Sequence, residues 1–177
     1  MRQQIPNIIT LLNLLFGCLA IVSCFQFGTV ASISDTGDML IEIPEKLFMA
    51  SLFIGIAAVV DFFDGFVARL LQVQSPMGKE LDSLADVVSF GVLPGIILFE
   101  MTEQVTDSVW LPFLTLIIPM LSAYRLAKFN LDTRQSDRFI GLPTPANALL
   151  ILSLPLVIAT SSSDFIVSSL VNPYVLI

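Results

Sequence analysis

Residues 61–86 read DFFDGFVARLLQVQSPMGKELDSLAD, four aspartates, two glycines and one arginine set among apolar residues. At about 100° per residue, Asp61, Asp64, Gly65, Ala68 and Arg69 fall within an arc of about 140°, so they share one face of a helix. Gly78, Asp82 and Asp86 follow at successive four-residue steps, which again makes one stripe. Only the short Gln72 to Met77 turn separates the two runs. The helices are therefore antiparallel neighbours, and their two pairs of carboxylates can face each other.

Outward from this stretch the chain is apolar in both directions. Of its 177 residues 55% are hydrophobic and 13% charged, and the mean hydropathy is +0.89. That balance predicts an all-α, polytopic membrane protein, one membrane-embedded domain over 1–177, and excludes disorder. Eight Lys and Arg against fifteen Asp and Glu give a net charge of -7, which excludes nucleic-acid binding. The chain has no His, which removes imidazole chemistry of every kind. Cys18 and Cys24 lie about 240° apart around a helix and so cannot bridge or share a ligand.

A span needs about 20 mostly apolar residues. Five are expected, at Ile5–Phe27, Leu47–Leu71, Leu81–Phe99, Val109–Phe129 and Thr144–Thr160. Phe165–Ile177 holds thirteen residues, about 20 Å of helix, so a sixth span is expected to be cut short. Arg2, Arg69, Lys79, Arg125, Lys128, Arg134 and Arg138 fall on one side, with Lys46 the exception, so that side and the N-terminus are cytoplasmic. Asp35, Asp38, Glu42, Glu45, Glu100, Glu103, Asp107 and Asp164 lie opposite. Asn7, Thr10 and Asn13 interrupt the first apolar run, and no small-residue cleavage site follows it, which argues against a cleavable signal peptide.

A carboxylate at a helix centre in the bilayer costs roughly 2.5–3.5 kcal/mol, and four together also repel. Arg69 alone cannot neutralise them, whereas one or two hard divalent cations match a carboxylate-only cluster; without His or a usable Cys, Mg²⁺ or Mn²⁺ is favoured over zinc. Gly65 and Ala68 suit close helix packing, but beside such a cluster they also keep a gap open for a ligand. Gly78, opening its helix, lets a phosphate approach backbone amides.

The spacing D-x-x-D-G-x-x-A-R-x8-G-x3-D-x3-D, met from Asp61 to Asp86 without departure, resembles the signature of the CDP-alcohol phosphatidyltransferase family. IPNIIT at residues 5–10, LADVVSFGVLP at 84–94, RLAKFN at 125–130 and FIGLPTPAN at 139–147 are similar to the bacterial membrane-type branch that acts on serine. The resemblance implies transfer of a phosphatidyl group from CDP-diacylglycerol to an alcohol, L-serine in that branch, with release of CMP. It implies two divalent cations on Asp61, Asp64, Asp82 and Asp86, with Asp86 also the proton acceptor. Asn7, Thr10, Gly65, Arg69 and Ser75 would bind the CDP-lipid, with Ala68 and Gly78 lining the same pocket. It also implies a homodimer in the cell (inner) membrane, multi-pass, its active site at the cytoplasmic face where a lipid donor meets cytosolic CMP and serine. A phospholipase D-like class of serine phosphatidyltransferase needs a histidine nucleophile, so this chain falls outside it.

Serine brings a carboxylate that an Arg fork can hold through two bonds. Arg125, at the cytoplasmic end of the fourth span, with Asn130 and Arg138 beyond it, is the expected acceptor site; Lys128 and Arg134 are read as meeting lipid phosphates. Two alternatives stand beside this reading: a relative making phosphatidylglycerophosphate or another head group, and an ion or proton transporter. A transporter would scatter its acids toward the midplane or within repeats, and no repeat is visible here.

Overall fold

Helix α1, Gln4–Phe25, buries Pro6, Thr10, Asn13, Gly17, Ala20 and Cys24, a stripe recurring every three or four residues. Large apolar side chains on its other faces, among them Leu11, Leu15 and Val22, are about half exposed. Small and polar residues point inward and bulky apolar ones outward, the arrangement expected where the solvent is lipid and helices gain by close approach rather than by hiding leucines. The computed structural model describes residues 4–25, 32–33, 39–40, 45–72, 75–131, 142–161, 164–170 and 172–176.

After α1 come two paired two-residue strands, Ser32–Ile33 and Met39–Leu40, antiparallel, a small exception to the all-α expectation. Helix α2, Glu45–Leu71, ends at Gln72, which adopts φ 53. A left-handed residue at that position closes the helix and reverses the chain, at a cost of roughly 1–2 kcal/mol for a residue other than glycine. Ser75 then caps α3, its hydroxyl oxygen accepting from the Gly78 N–H at 3.0 Å, with Pro76 in the first turn.

Helix α3 runs continuously over Pro76–Val105, longer at both ends than the expected Leu81–Phe99. Its middle, Val87–Val92, is π-helical and begins directly after Asp86. α1, Met49–Leu71 of α2, and α3 are each long and apolar enough to cross a membrane, while Thr144–Ile158 of α5 (Thr144–Thr160) is a shorter apolar stretch. The fourth expected span is not one helix. Pro112–Leu116 is a 3₁₀ turn, followed by α4, Ile117–Leu131. Pro119 has no N–H to give to the Thr115 carbonyl, so the regular ladder fails there and the preceding turn tightens. Thr115 is held instead through its hydroxyl, which lies 2.8 Å from the Pro112 carbonyl and 3.2 Å from that of Gly95. The expected sixth span is likewise broken, into α6, Asp164–Leu170, and α7, Pro173–Leu176, because Pro173 cannot continue a helix from Ser169.

The core is centred on α3. Phe90, Leu93 and Ile97 are fully buried with Ala20, Ala50, Ile54, Ala57 and Ala148 from the surrounding helices. Glycines set how closely those helices approach: a Cβ on Gly95 would stand 2.8 Å from Pro119 Cδ, and one on Gly17 would collide with Ser89 Oγ and come within 3.1 Å of Ser89 Cα. Gly17→Ala is therefore expected to force α1 off α3 at about 1–3 kcal/mol, the usual scale of overpacking. The measurement is thermal unfolding in detergent, and an unchanged midpoint would mean that the two helices are not held this tightly.

Candidate active site

The facing of α2 and α3 brings together what the sequence pattern foresaw. One carboxylate oxygen each from Asp61, Asp64 and Asp82 lie within 4.8 Å of one another. Asp86 stands outside that trio but adjoins it, close enough to Asp61 for a direct side-chain interaction, and its Oδ1 is buried without a hydrogen-bond partner. Asp64 and Asp86 are buried, Asp61 and Asp82 half-buried. Hard oxygen donors, three converging and a fourth adjacent with an unused buried oxygen, fit a divalent cation; they do not fit a soft one, and both cysteines belong to α1, outside the cluster.

Helix α1 supplies donors to the cluster. Thr10 Oγ1 lies 2.8 Å from Asp64 Oδ2 and 3.1 Å from the Pro6 carbonyl, and Asn13 Nδ2 donates to Asp61 Oδ1 at 3.1 Å. In the sequence alone Asn13 is only a break in an apolar run. Its signal was present in the spacing Thr10, Asn13, Gly17, one inward stripe of polar and small residues.

A cavity of about 460 Å³ opens beside the cluster, lined by Asn7, Thr10, Asp64, Gly65, Ala68, Ser75, Gly78 and Asp82, together with Pro6, Pro76 and Lys79. Six of the seven residues expected to meet the CDP-lipid are among these. The seventh, Arg69, does not line the cavity, and its Nε donates to the Gly65 carbonyl of its own helix at 2.9 Å. A Cβ on Gly65 would meet nothing nearer than Arg69 Nη2 at 4.0 Å, so the gap expected there is open. Gly78 lines the same cavity. Its N–H is taken by Ser75 at 3.0 Å, and a Cβ there would crowd Asn7 Oδ1 at 3.1 Å.

A second cavity of about 300 Å³ holds Asp86, Arg125 and Asn130, with Lys79, Asp82, Ser83, Leu126, Phe129 and the segment Pro143 to Pro145. Lys79 and Asp82 line both cavities, so the two adjoin at the aspartate cluster. Asn130 Nδ2 donates to Ser83 Oγ at 2.8 Å, and Lys79 Nζ donates to the Asn130 carbonyl at 3.3 Å, joining α3 to the end of α4. Lys79 and Ser83 were not foreseen as site residues. Arg138 and Arg134 lie outside the described residues, and Lys128 lines neither cavity.

The CDP-alcohol phosphatidyltransferase family matches residues 3–175. The CDP-diacylglycerol–serine O-phosphatidyltransferase of Saccharomyces cerevisiae is 38% identical over 161 residues, 85% of this chain and 53% of that protein. The enzyme of the same name from Mycobacterium leprae is 40% identical over 108 residues, 57% of this chain and 35% of its own. That of Bacillus subtilis is 32% identical over 156 residues, 86% of this chain and 75% of its own. The chain thus spans about half the length of the yeast relative. No solved structure gives a significant match. Matched from residue 3 to residue 175, and with the aspartates of its motif gathered between two adjoining cavities, the chain belongs to the CDP-alcohol phosphatidyltransferase family.

Proposed function

We propose that the protein transfers the phosphatidyl group of CDP-diacylglycerol to the hydroxyl of L-serine, giving phosphatidylserine and CMP. The observation that carries this reading is the pair of cavities meeting at Asp82 and Lys79. The larger, bordered by Asn7, Thr10, Gly65, Ala68, Ser75 and Gly78, suits the CDP head group of the donor. The smaller, with Arg125 and Asn130 beside Asp86, suits a small zwitterionic acceptor. The names of the relatives support serine as that acceptor.

Asp61, Asp64, Asp82 and Asp86 would hold two Mg²⁺ or Mn²⁺ ions, which supply charge neutralisation of the pyrophosphate and of the departing CMP oxygen. Asp86 takes the acceptor's proton: the serine oxygen bonds to the lipid-side phosphorus, the bond from that phosphorus to the CMP oxygen breaks, and the hydroxyl proton passes to the Asp86 carboxylate. Arg125 orients serine through its carboxylate, which keeps the hydroxyl turned toward Asp86.

The distribution of Lys and Arg supports a cytoplasmic N-terminus and a site at the cytoplasmic face of the cell membrane. In this reading α1, α2, α3, the Pro112–Leu131 segment and α5 cross, with the C-terminal helices entering as a sixth pass, about six in all. The family resemblance supports a homodimer. Labelled serine and labelled glycerol 3-phosphate, each supplied with CDP-diacylglycerol, test the acceptor. Phosphatidylserine and CMP formed one to one support the proposal, and product from glycerol 3-phosphate alone overturns it.

Arg125→Lys is expected to raise the serine KM about tenfold or more, a loss of about 1.4 kcal/mol, because Lys cannot reproduce the planar fork. The donor KM should change little. A rise in the donor KM with the serine KM unmoved would put Arg125 in the donor site.

A further inference from the structure

Helices α1 and α2 run antiparallel, and their polar contacts share one register: Thr10 meets Asp64 and, three residues on, Asn13 meets Asp61 three residues back. Continued outward, the same register sets Gly17 level with Ala57, Ala20 with Ile54 and Cys24 with Ala50, all of them buried. Below the two polar rungs the seam is therefore apolar and, Ile54 apart, small, which brings the two helices close and leaves little room for slip. Asn13 itself is fully buried.

Asn13 also touches the other aspartate-bearing helix. Its backbone carbonyl accepts from Ser89 Oγ at 3.3 Å, in the π-helical turn immediately after Asp86, where Gly17 permits α3 to come near. One residue is thus tied by its side chain to α2 and by its main chain to α3. Its Oδ1 is buried with no partner, so nothing on that atom competes for the carboxamide's orientation. The opposite orientation would set the carboxamide oxygen against the Asp61 carboxylate.

We propose that Asn13 is a positioning residue of the aspartate cluster, its carboxamide fixing the rotation of the Asp61 carboxyl so that one oxygen is held by Nδ2 and the other is presented to a divalent cation. This rests on the reading of Asp61 as a cation ligand. A donor bound to one oxygen of a ligating carboxylate removes the rotational freedom that binding would otherwise have to suppress, and the loss of such outer partners typically lowers metal affinity by about 10–100-fold.

The test is Mn²⁺ binding to the detergent-purified full chain, followed by the loss of the free-ion electron paramagnetic resonance signal, alongside thermal unfolding and turnover. Asn13→Ala, and Asn13→Leu, which keeps a similar shape but has no donor to offer Asp61, should each weaken Mn²⁺ binding about tenfold or more. Saturating Mn²⁺ should return turnover to within a few-fold of the unsubstituted protein. Ser89→Ala removes the main-chain tie but keeps the carboxamide, and should leave Mn²⁺ affinity within about twofold while lowering stability. Folded Asn13 variants that bind Mn²⁺ as the unsubstituted protein does would overturn the positioning role. Failure of both Asn13 variants to fold, with Ser89→Ala folded, would overturn it in favour of a purely structural one. If the unsubstituted protein binds no Mn²⁺, it is the cation reading that fails, and this inference falls with it.

Discussion

In excess EDTA, transfer from CDP-diacylglycerol to serine is expected to fall below detection and to return when Mg²⁺ or Mn²⁺ is restored. The expectation follows from crowding. Asp61, Asp64 and Asp82 offer oxygens within 4.8 Å of one another, and Asp86 is buried beside them. A carboxylate in apolar surroundings costs roughly 2.5–3.5 kcal/mol on insertion scales, and a pyrophosphate brought to this site adds further negative charge. Thr10 and Asn13 provide neutral hydrogen bonds, which relieve one oxygen each and leave the summed charge in place. Arg69 has its Nε turned back to its own helix. Donor binding and chemistry are therefore both expected to depend on added cations. Full activity in excess chelator, with the cation content of the sample measured, would overturn the reading.

Asp86→Asn is expected to leave a folded protein that still binds CDP-diacylglycerol while turnover falls by at least about a hundredfold, the usual contribution of a positioned proton acceptor. Asp86 differs from the other three aspartates in place. It adjoins the converging trio without belonging to it, lines the smaller cavity with Arg125 and Asn130, and keeps a buried oxygen without a partner. Asn is nearly isosteric and satisfies the same packing, but it cannot take a proton from an attacking hydroxyl. Donor binding in the larger cavity should survive, because Asp86 does not line it. Two measurements decide the matter, single-turnover rate and CDP-diacylglycerol affinity. Near-normal turnover removes Asp86 from the proton-accepting role, and a large loss of donor affinity would make it chiefly a ligand of the donor site.

Much of this site was legible before any helix was packed. Residues three and four apart share a helix face whatever surrounds them, so the stripe Asp61, Asp64, Gly65, Ala68 and the stripe Gly78, Asp82, Asp86 follow from local geometry alone. A short connection between two apolar helices makes them antiparallel, and packing of both on α1, with Thr10 and Asn13 holding Asp64 and Asp61, sets the carboxylates opposite one another. Hydropathy identified the membrane class and α1, α2 and α5 within a few residues, since each depends only on composition along the chain. At two places the same reading failed, a 3₁₀ turn ahead of Pro119 and a helix break ahead of Pro173, although Pro155 lies inside α5 without ending it.

What the sequence by itself determined, then, is the membrane class, the helix faces and the identity of the charged cluster, all properties of spacing and composition within single helices. Tertiary structure alone decided the rest. Asn13 reaches Asp61, 48 residues away, and Asn130 reaches Ser83, 47 residues away, because small residues let their helices close to hydrogen-bonding distance. The same closeness brings Asn7 against Gly78, and it sets Asp86 in the lining of a second cavity. These outcomes depend on distances between helices, to within about an ångström, and residue order within any one helix carries no such information.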